Sequence, residues 1–374
     1  SSLDADSEGH EGKYYVWSSD EFDAAAREAG ASADELAALR RHWSVTDGGN
    51  FEDSTILNIT YPQRIPRLRE LRQRMYEIRE RRIRPARDDK RLAGWNGLMV
   101  RGVAEAARAF GRDDHQTMAV RAGEFLFRER VKGDRAIRSS RGSDPIAGVL
   151  EDQAAVGLAA LSLYELTFER LWLDRALTIS RSMVVAFWDE ESRSFFDTAH
   201  DHERLIIRPR DVTDNALPSG NSLACDLLAR IGILMADDES RRIASLVVDS
   251  LAEPLARHPL AFGHLLGVAD MLVNGSVELA IIGDADSAGF AELARAAGQT
   301  FVPAFIVAGG TDETIPLLEN RPATRGKATA YVCRSFACEA PTTTPADLVD
   351  QLANGIRGRR NTGLPRIFSD PPTH

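Results

Sequence analysis

The segment from Asp152 to Phe168 constrains the fold most strongly, because it is apolar on nearly every side. It is rich in Ala and Leu and carries few charges. A helix with this composition is buried between other helices. Amphipathic or polar helical stretches surround it, and they predict helices at residues 66–84, 95–110, 115–131, 171–188, 219–234, 239–258 and 259–273, with two shorter helices that begin near Ser18 or Ser19 and at Ser32.

The number and spacing of these helices predict a mainly α fold. They are too many for a four-helix bundle, and loops rich in aromatic and polar residues recur between alternate helices. The absence of a strict sequence repeat disfavours an open solenoid. We therefore expect residues 1–273 to form part of an (α/α) helical toroid.

The character of the sequence changes after Asn274. Residues 277–284, 287–299 and 301–308 predict a β-α-β unit, and residues 328–334 predict a third strand. This small α/β appendage is assigned to residues 274–340. Residues 341–374 are expected to form a last helix, 345–355, and a disordered tail. The turn at Gly283-Asp284 lacks the glycine fingerprint of dinucleotide sites, so no cofactor is predicted there.

Charge and composition exclude several classes of partner. The 374 residues carry a net charge of −10, which disfavours a nucleic-acid surface. The Arg-rich run from Arg64 to Arg87 has interleaved Glu residues and predicts a solvated helix with ion pairs. No apolar run approaches the ~20 residues that span a bilayer, and no signal peptide is visible. Neither nucleic acid nor membrane is therefore an expected partner.

Three cysteines, Cys225, Cys333 and Cys338, are too few for a disulfide framework and predict a reducing, cytoplasmic location. The spacing of Cys333 and Cys338 matches neither a redox Cys-x-x-Cys pair nor a zinc site, so we interpret both as free, half-buried thiols. No His-x3-His or His-Glu-x-x-His motif occurs, and no metal is predicted.

The first group of candidate site residues opens the chain. Asp4, Asp6 and Glu8 are carboxylates on a Gly-rich backbone, and Trp17 follows in an aromatic run. Such a segment is suited to the mouth of a small-molecule pocket. The structural alternative, an acidic loop that pairs with Arg or binds a structural cation, stays open.

Two further groups lie at predicted helix starts. Trp95 and Asn96 offer a stacking face and an amide, although Trp is usually a core residue and Asp88 or Asp89 would serve as the helix cap. Glu151 and Asp152 open the apolar helix, where the helix dipole explains two carboxylates as caps. A carboxylate that heads a buried helix is also the place for a raised pKa and a general acid.

The last group surrounds a tight turn. Asp214 and Asn221 are expected to bind hydroxyl groups, while Ser219 caps the next helix. An elaborate helix cap is the structural alternative. His264 lies near a candidate loop and is predicted to contact substrate.

The chain resembles the thioredoxin-domain-containing family of the spermatogenesis-associated protein 20 type. The opening Asp4-Ala5-Asp6 segment is similar to the start of that family's second half, and later motifs follow in the same order over nearly the whole chain: 49–52, Arg84-Pro85 with 88–90, 95–99, 150–152, Arg208-Pro209 with Asp214, 218–222, 261–263, and 331–333 with Cys338 and Pro341. Gln153 stands where the family usually has an aromatic residue, so a stacking role is not expected there.

This resemblance implies a six-hairpin, sugar-epimerase-like or glycosidase-like toroid whose upstream thioredoxin-like part has no match here. We therefore predict a C-terminal portion with a carbohydrate-acting site, in which Asp4, Asp6, Glu151 and Asp152 are catalytic. Glu8, Trp17, Trp95, Asn96, Asp214, Ser219, Asn221 and His264 would bind a small sugar. The alternative is a non-catalytic, redox-associated scaffold. An open toroid portion predicts a partner, either the upstream half or a second copy.

Overall fold

A computed structural model describes residues 2–140, 145–334 and 337–359. The chain divides into two compact units, Ser1–Lys90 and Arg91–His374. The last helix continues to Arg359, four residues into the predicted disordered tail, and the rest of that tail, residues 360–374, lies outside the described residues.

Helices dominate both units, as predicted. In chain order they are α1 (Ser19–Glu28), α2 (Ala33–His42), α3 (Leu68–Arg79), α4 (Ala93–Phe110), α5 (Asp113–Arg130), α6 (Leu150–Thr167), α7 (Arg170–Phe187), α8 (Gly220–Leu234), α9 (Asp238–Ser250), α10 (Ala252–Arg257), α11 (Gly263–Asn274), α12 (Ala288–Gln299) and α13 (Pro345–Arg359), with a 3-10 helix at Pro259–Phe262.

The strands are short. They are β1 (Ser2–Leu3), β2 (Asp6–Ser7), β3 (His10–Glu11), β4 (Arg87–Asp88), β5 (Val131–Lys132), β6 (Arg135–Ser140), β7 (Pro145–Ala147), β8 (Trp188–Asp189), β9 (Ser194–Phe195), β10 (Val277–Ile282), β11 (Phe305–Gly310), β12 (Thr329–Arg334) and β13 (Ala337–Cys338). The β5–β6–β7 sheet, which precedes α6, has no counterpart among the sequence predictions.

The first unit packs α1, α2 and α3 around a small aromatic core. Ser18 and Ser32 cap α1 and α2, and each forms a reciprocal capping box with the Glu three residues later. Phe22 lies edge-on to both Trp17 and Trp43 in the centre of this core. Both predicted serine caps are thereby confirmed.

Helix α3 is shorter than the sequence predicted, because it ends at Arg79 rather than Arg84. The expected ion pairs are present, among them Arg74 with Glu70 at 2.8 Å between Nη2 and Oε1. The helix is solvated over most of its surface, but Leu71 and Met75 are buried in the core of the first unit. The apolar pair at four-residue spacing anchors the helix.

The second unit is built from helical hairpins. Helices α4, α6, α8 and α11 pack on one another in that order and are called the inner helices below; α5, α7 and α9 pack against α4, α6 and α8 from outside. Every residue from Asp152 to Glu165 of α6 is buried, as its apolar composition predicted. Pairing of consecutive helices with packing between alternate ones confirms part of an (α/α) toroid.

Glycines allow the inner helices to approach closely. A Cβ atom on Gly97 of α4 would lie 2.7 Å from the backbone carbonyl of Ala155 on α6. A Cβ atom on Gly157 of α6 would lie 2.4 Å from Cδ2 of Leu227 on α8. Both distances are far below van der Waals contact, so these two positions require glycine as long as the helix spacing is kept.

The predicted α/β element is confirmed as a four-stranded sheet in the order β11-β10-β12-β13, with β10 and β11 parallel. One face of β10, including Ala280 and Ile282, joins the core of the inner helices. The other face, including Leu279 and Ile281, packs with α12 and α13. Secondary structure therefore changes near residue 274, but the hydrophobic core continues across that position and no compact-unit boundary occurs there.

The cysteine prediction was wrong for two of the three residues. Cys333 and Cys338 are opposed across β12 and β13 and form a disulfide, whereas Cys225 is a free, buried thiol. Sequence spacing missed the pair because the antiparallel register of β12 with β13, which places Cys333 opposite Cys338, is a property of the sheet and not of a Cys-x-x-Cys loop. None of the helices in the described ranges is long and apolar enough to cross a bilayer.

Candidate functional site

The inner helices of the second unit begin side by side. The Gly94 N–H in the first turn of α4 donates to Oδ1 of Asp152 in α6 at 2.8 Å. A Cβ atom on Gly220, the first residue of α8, would lie 3.1 Å from the backbone nitrogen of Glu151. Asp214, just before α8, accepts the His264 N–H of α11 at 2.8 Å. We call the first turns of α4, α6, α8 and α11 the N-terminal edge.

Asp152 is the structural centre of the N-terminal edge. Its side chain is 1% exposed. Besides Gly94, it accepts the Val149 N–H at 3.1 Å and pairs with Nη1 of Arg138 on β6 at 3.1 Å. These hydrogen bonds confirm that Asp152 caps helix starts, since it accepts N–H groups at the beginnings of α4 and α6. They disfavour a catalytic role for Asp152, because both of its buried oxygens already have partners and neither is open to a substrate.

The carboxyl group of Glu151 differs from that of Asp152 in both burial and hydrogen bonding. It is half-buried and makes no hydrogen bond through its carboxyl group to any residue that the structure describes. Burial is the main cause that raises the pKa of Glu151; the neighbouring Asp152 adds to it and Arg138 opposes it. A Cβ atom on Gly94 would lie 3.2 Å from Oε1 of Glu151 and 3.0 Å from Oδ1 of Asp152, so both carboxyl groups converge on one backbone position.

A third carboxyl group adjoins this pair. The backbone carbonyl of Asp197 accepts the Leu150 N–H at 2.9 Å, which places residue 197 at the start of α6. Burial raises the pKa of the Asp197 carboxyl group, although the hydrogen bond from the Asp211 N–H to Oδ2 opposes this. Glu151 and Asp197 therefore both favour the protonated state more than a solvated carboxyl group does.

Trp95 and Asn96 lie at the start of α4, next to Gly94. Trp95 is 41% exposed, which is unusual for a residue that normally fills a core. Asn96 is exposed and donates through Nδ2 to the Leu92 carbonyl at 2.7 Å. The prediction that Asp88 or Asp89 caps α4 was wrong. Leu92 occupies the cap position, and Asp152, which lies on another helix, accepts the N–H group of Gly94 in the first turn of α4.

The turn before α8 is a scaffold. Asn221 is 0% exposed and bonds to the backbone N–H and carbonyl of Phe195 and to the Asp211 carbonyl. Asp214 accepts the Ser219 N–H at 2.9 Å in addition to the His264 N–H. The prediction that Asn221 binds substrate was therefore wrong, because its side chain is buried and bonded to the backbone. Both carboxylate oxygens of Asp214 accept backbone N–H groups. Ser219 caps α8 as predicted and is buried.

His264 joins a buried ionic cluster on the inner helices. Its Nε2 lies 3.1 Å from Oδ2 of Asp226 on α8, and the same oxygen accepts Nη1 of Arg101 at 2.8 Å. The other oxygen, Oδ1, accepts Nε of Arg230 at 2.6 Å. His264 itself is 23% exposed in its side chain. Arg101 and Arg230 are similarly exposed, at 20% and 19%, so the three partners of the cluster reach solvent while its central carboxylate, 4% exposed, does not.

Deeper in the second unit, Glu165 of α6 is buried with Arg108 of α4 at 3.2 Å between Oε2 and Nη1. Its Oε1 atom has no hydrogen-bond partner. Burial raises the pKa of Glu165 against the attraction of Arg108 and Arg230. The two residues contribute to a cavity of about 600 Å³ bounded by α4, α5, α6 and α12.

The opening segment belongs to the first unit. Asp4, Asp6 and Glu8 are exposed, and Glu8 pairs with Lys13 at 2.9 Å between Oε2 and Nζ. Trp17 is only 4% exposed and lies under the guanidinium group of Arg82, 4.2 Å from the ring centroid. The prediction that Trp17 binds a sugar was therefore wrong, since its ring is covered by the protein. Catalytic roles for Asp4 and Asp6 stay predictions.

Sequence reasoning missed Arg138, Asp197, Arg101 and Asp226. Asp226 carried a signal, because it is a charged residue at a buried position of the largely apolar helix α8. Arg101 and Arg230, its partners, lie at half-buried positions of α4 and α8 and carried a weaker signal. Arg138 and Asp197 carried none, since they reach the N-terminal edge through the unpredicted β6 strand and an irregular loop. Among the described residues, no group of three or more His, Cys, Asp or Glu side chains is arranged to hold a metal ion.

These features define a helical-hairpin protein with carboxyl groups gathered where its inner helices begin. No family model matches the sequence. Human spermatogenesis-associated protein 20 is a homologue, 27% identical over 90% of this chain, and the rat protein is 26% identical over the same share. The chain spans about half the length of these relatives, 49% in each, and matches their C-terminal part. The resemblance seen in the motifs is confirmed.

Solved structures with similar helix packing include a GH76 α-mannanase from Bacteroides thetaiotaomicron, 15% identical, with a TM-score of 0.38 over 62% of this chain and 58% of that one. A family 76 glycoside hydrolase from a bovine strain of the same species is 12% identical, with a TM-score of 0.35 over 62% of this chain and 46% of that one. Similarity at this level carries no information about activity.

Proposed function

We propose that the second unit is a carbohydrate-acting enzyme domain, of epimerase, isomerase or glycosidase type, with its site at the N-terminal edge. One observation carries the proposal. The exposed Trp95 follows Gly94 directly, and the carboxyl groups of Glu151 and Asp152 both converge on Gly94. An exposed aromatic face near a carboxyl group whose pKa is raised is the combination that sugar-converting sites use.

In this proposal Glu151 is the general acid. Burial holds a proton on its carboxyl group to higher pH than in water, and no hydrogen bond from a described residue competes for that group. Asp152 positions Glu151 by fixing the first turns of α4 and α6, and Arg138 completes the charge balance. Trp95 offers its ring face to the sugar.

Melting curves with a panel of mono- and disaccharides test the proposal. A sugar present at a hundred times its Kd stabilises the folded state by about 2.7 kcal/mol, which is visible as a rise in Tm. We expect one sugar class to raise Tm and to be converted. Glu151→Gln should abolish turnover, and Trp95→Ala should abolish the rise in Tm.

Glu191→Gln is the matched control, because Glu191 is an exposed carboxylate of the same unit. It should leave both readouts unchanged. A Tm that no sugar raises, together with no conversion of any sugar, would contradict the proposal. Full turnover by Glu151→Gln would contradict its assignment as the acid.

A non-catalytic, redox-associated scaffold is the second candidate, favoured by the Cys333–Cys338 disulfide. Nη2 of Arg321 lies 3.7 Å from Sγ of Cys333 and 3.8 Å from Sγ of Cys338. A cation at this distance stabilises a thiolate. This function predicts no turnover of any sugar and binding to a thioredoxin-like domain that Cys338→Ser abolishes; binding unaffected by that change would contradict it.

A further inference from the structure

The imidazole of His264 is held by a carboxylate that cannot turn away. Asp226 is buried, and its two oxygens are divided between Arg230 on one side and Arg101 with His264 on the other. Burial alone would raise the pKa of Asp226, but Arg230, Arg101 and His264 hold it well below its usual range. Asp226 is therefore an anion that accepts hydrogen bonds in a fixed direction.

An anionic partner determines the tautomer of a neutral histidine. Because Oδ2 of Asp226 only accepts, Nε2 of His264 must donate, so the neutral imidazole carries its proton on Nε2 and its lone pair on Nδ1. No described residue forms a hydrogen bond to Nδ1, and the side chain is partly open to solvent. A free imidazole nitrogen oriented by a buried carboxylate is the arrangement of a general base.

The same residue belongs to the N-terminal edge. The His264 N–H donates to Oδ2 of Asp214, whose Oδ1 accepts the Ser219 N–H at the start of α8. The next residue, Gly220, packs against the backbone of Glu151. A short series of contacts therefore connects the backbone of His264 with the backbone of Glu151, at the N-terminal edge.

We propose that His264 is the general base and Glu151 the general acid of a proton transfer next to the carbonyl group of an open-chain sugar. The inference rests on the proposed function and selects an isomerase or epimerase within it. Nδ1 of His264 takes the proton from the carbon adjacent to the carbonyl, and the C–H electron pair forms a carbon–carbon double bond. The carbonyl π pair moves to its oxygen, which takes the proton of Glu151.

The resulting enediol and the two catalytic groups balance the step without any oxidant or cofactor. When His264 returns the proton to the same carbon, the new hydroxyl gives its proton back to Glu151, which yields the substrate, or its epimer if the enediol has turned its other face to His264. When His264 delivers the proton to the former carbonyl carbon, the other enediol hydroxyl gives its proton to Glu151, which yields the isomeric ketose or aldose. Asp226 acts as a positioning residue, because it touches His264 and not the sugar.

Exchange in D2O followed by proton NMR tests this step. The full chain is incubated with each aldose and ketose of a panel, and loss of the signal of the proton adjacent to the carbonyl is measured. We expect deuterium incorporation with one sugar class. His264→Gln should lower the exchange rate about 100-fold or more, which is the lower range for a general base. His258→Gln, at an exposed histidine of the same unit, should leave it unchanged.

Asp226 needs a readout that separates positioning from folding. Asp226→Asn should lower kcat for exchange with little change in KM, and Asp226→Glu, which keeps the charge, should recover part of kcat. A melting curve for each variant shows whether it is folded at the assay temperature.

The outcomes separate this inference from the proposed function. Exchange that persists in His264→Gln overturns the role of His264. Glycoside hydrolysis that needs Glu151 but not His264, without deuterium exchange, overturns the inference and leaves the proposed function standing. A chain that neither binds nor converts any sugar overturns both.

Discussion

Oδ1 of Asp152 accepts the backbone N–H of Gly94 at 2.8 Å, so a carboxylate on α6 binds the first turn of α4. Helix starts are normally satisfied by a side chain of their own segment. Here Leu92 occupies the cap position of α4 and has no such group. The cap is supplied from a residue 58 positions along the chain, which makes the N-terminal edge a tertiary structure rather than a local one.

Asp152→Asn should therefore lose stability together with any activity. The amide keeps the shape but replaces an oxygen that accepts from Val149 and Arg138 with an NH2 group, which leaves buried donors unsatisfied. We expect a loss of about 1–3 kcal/mol in the free energy of unfolding, measured by urea titration. Asp134→Asn, in the exposed turn between β5 and β6, is the control. An unchanged midpoint for Asp152→Asn would show that the cap is dispensable.

Two glycines of α4 give a matched pair. Gly97→Ala places a methyl group 2.7 Å from the carbonyl of Ala155, so we expect a loss of about 1–3 kcal/mol from overpacking. Gly102 faces open space in the same helix, so Gly102→Ala should gain about 0.5–1 kcal/mol through helix propensity. Thermal melts of the two variants should shift in opposite directions; shifts of the same sign would refute the close approach of α4 and α6.

Gly94→Ala tests the convergence of the two carboxyl groups. The new methyl group would lie 3.2 Å from Oε1 of Glu151 and 3.0 Å from Oδ1 of Asp152, which is tighter than ordinary contact. Because the Glu151 side chain can turn aside but the buried Asp152 carboxylate is held in place, we expect a large fall in kcat together with a fall in Tm. Steady-state kinetics on the sugar identified above, with a parallel melt, measure both. Normal kcat would place Glu151 away from the reacting atoms.

Stability should depend on pH through Glu151. Its pKa in the folded chain is raised from the ordinary value of 4.5, so the folded state disfavours the ionised carboxylate. The stability contributed by the protonated form is full below pH 4.5 and is lost as pH rises through the raised pKa. Glu151→Gln carries no charge at any pH. We therefore expect its Tm to equal that of the unchanged chain near pH 4 and to exceed it at pH 7, which melts across this range would reveal.

The sequence predicted well what depends on neighbours along the chain. Ser18, Ser32 and Ser219 cap their helices because a serine and the N–H groups two or three residues later are brought together by the helix itself. The buried helix α6 follows from composition alone. Strands β10, β11 and β12 were also predicted correctly, because short apolar runs bounded by glycine are typical of buried strands.

Polar residues at helix starts were harder to assign, because binding and capping use the same chemical groups. Asn221 and Asp214 are amide and carboxylate groups in a turn, and only the tertiary structure shows that Phe195 and His264 already occupy them. Trp17 was misassigned for a similar reason, since sequence does not show that Arg82 covers its ring. The Asp226–His264 pair joins two helices 38 positions apart, a distance that periodicity does not address.

Asp152 and Asp214 each accept N–H groups from the starts of two different helical segments: Asp152 serves α4 and α6, and Asp214 serves α8 and α11. The first turn of α4 therefore depends on a side chain from α6, and the first turns of α8 and α11 both depend on the Asp214 carboxylate. Deleting or exchanging one hairpin would leave its neighbour with an unsatisfied first turn, unlike in repeat proteins whose units can be added or removed singly. Helix α4 with α6, and helix α8 with α11, would therefore have to be exchanged together in any engineered variant.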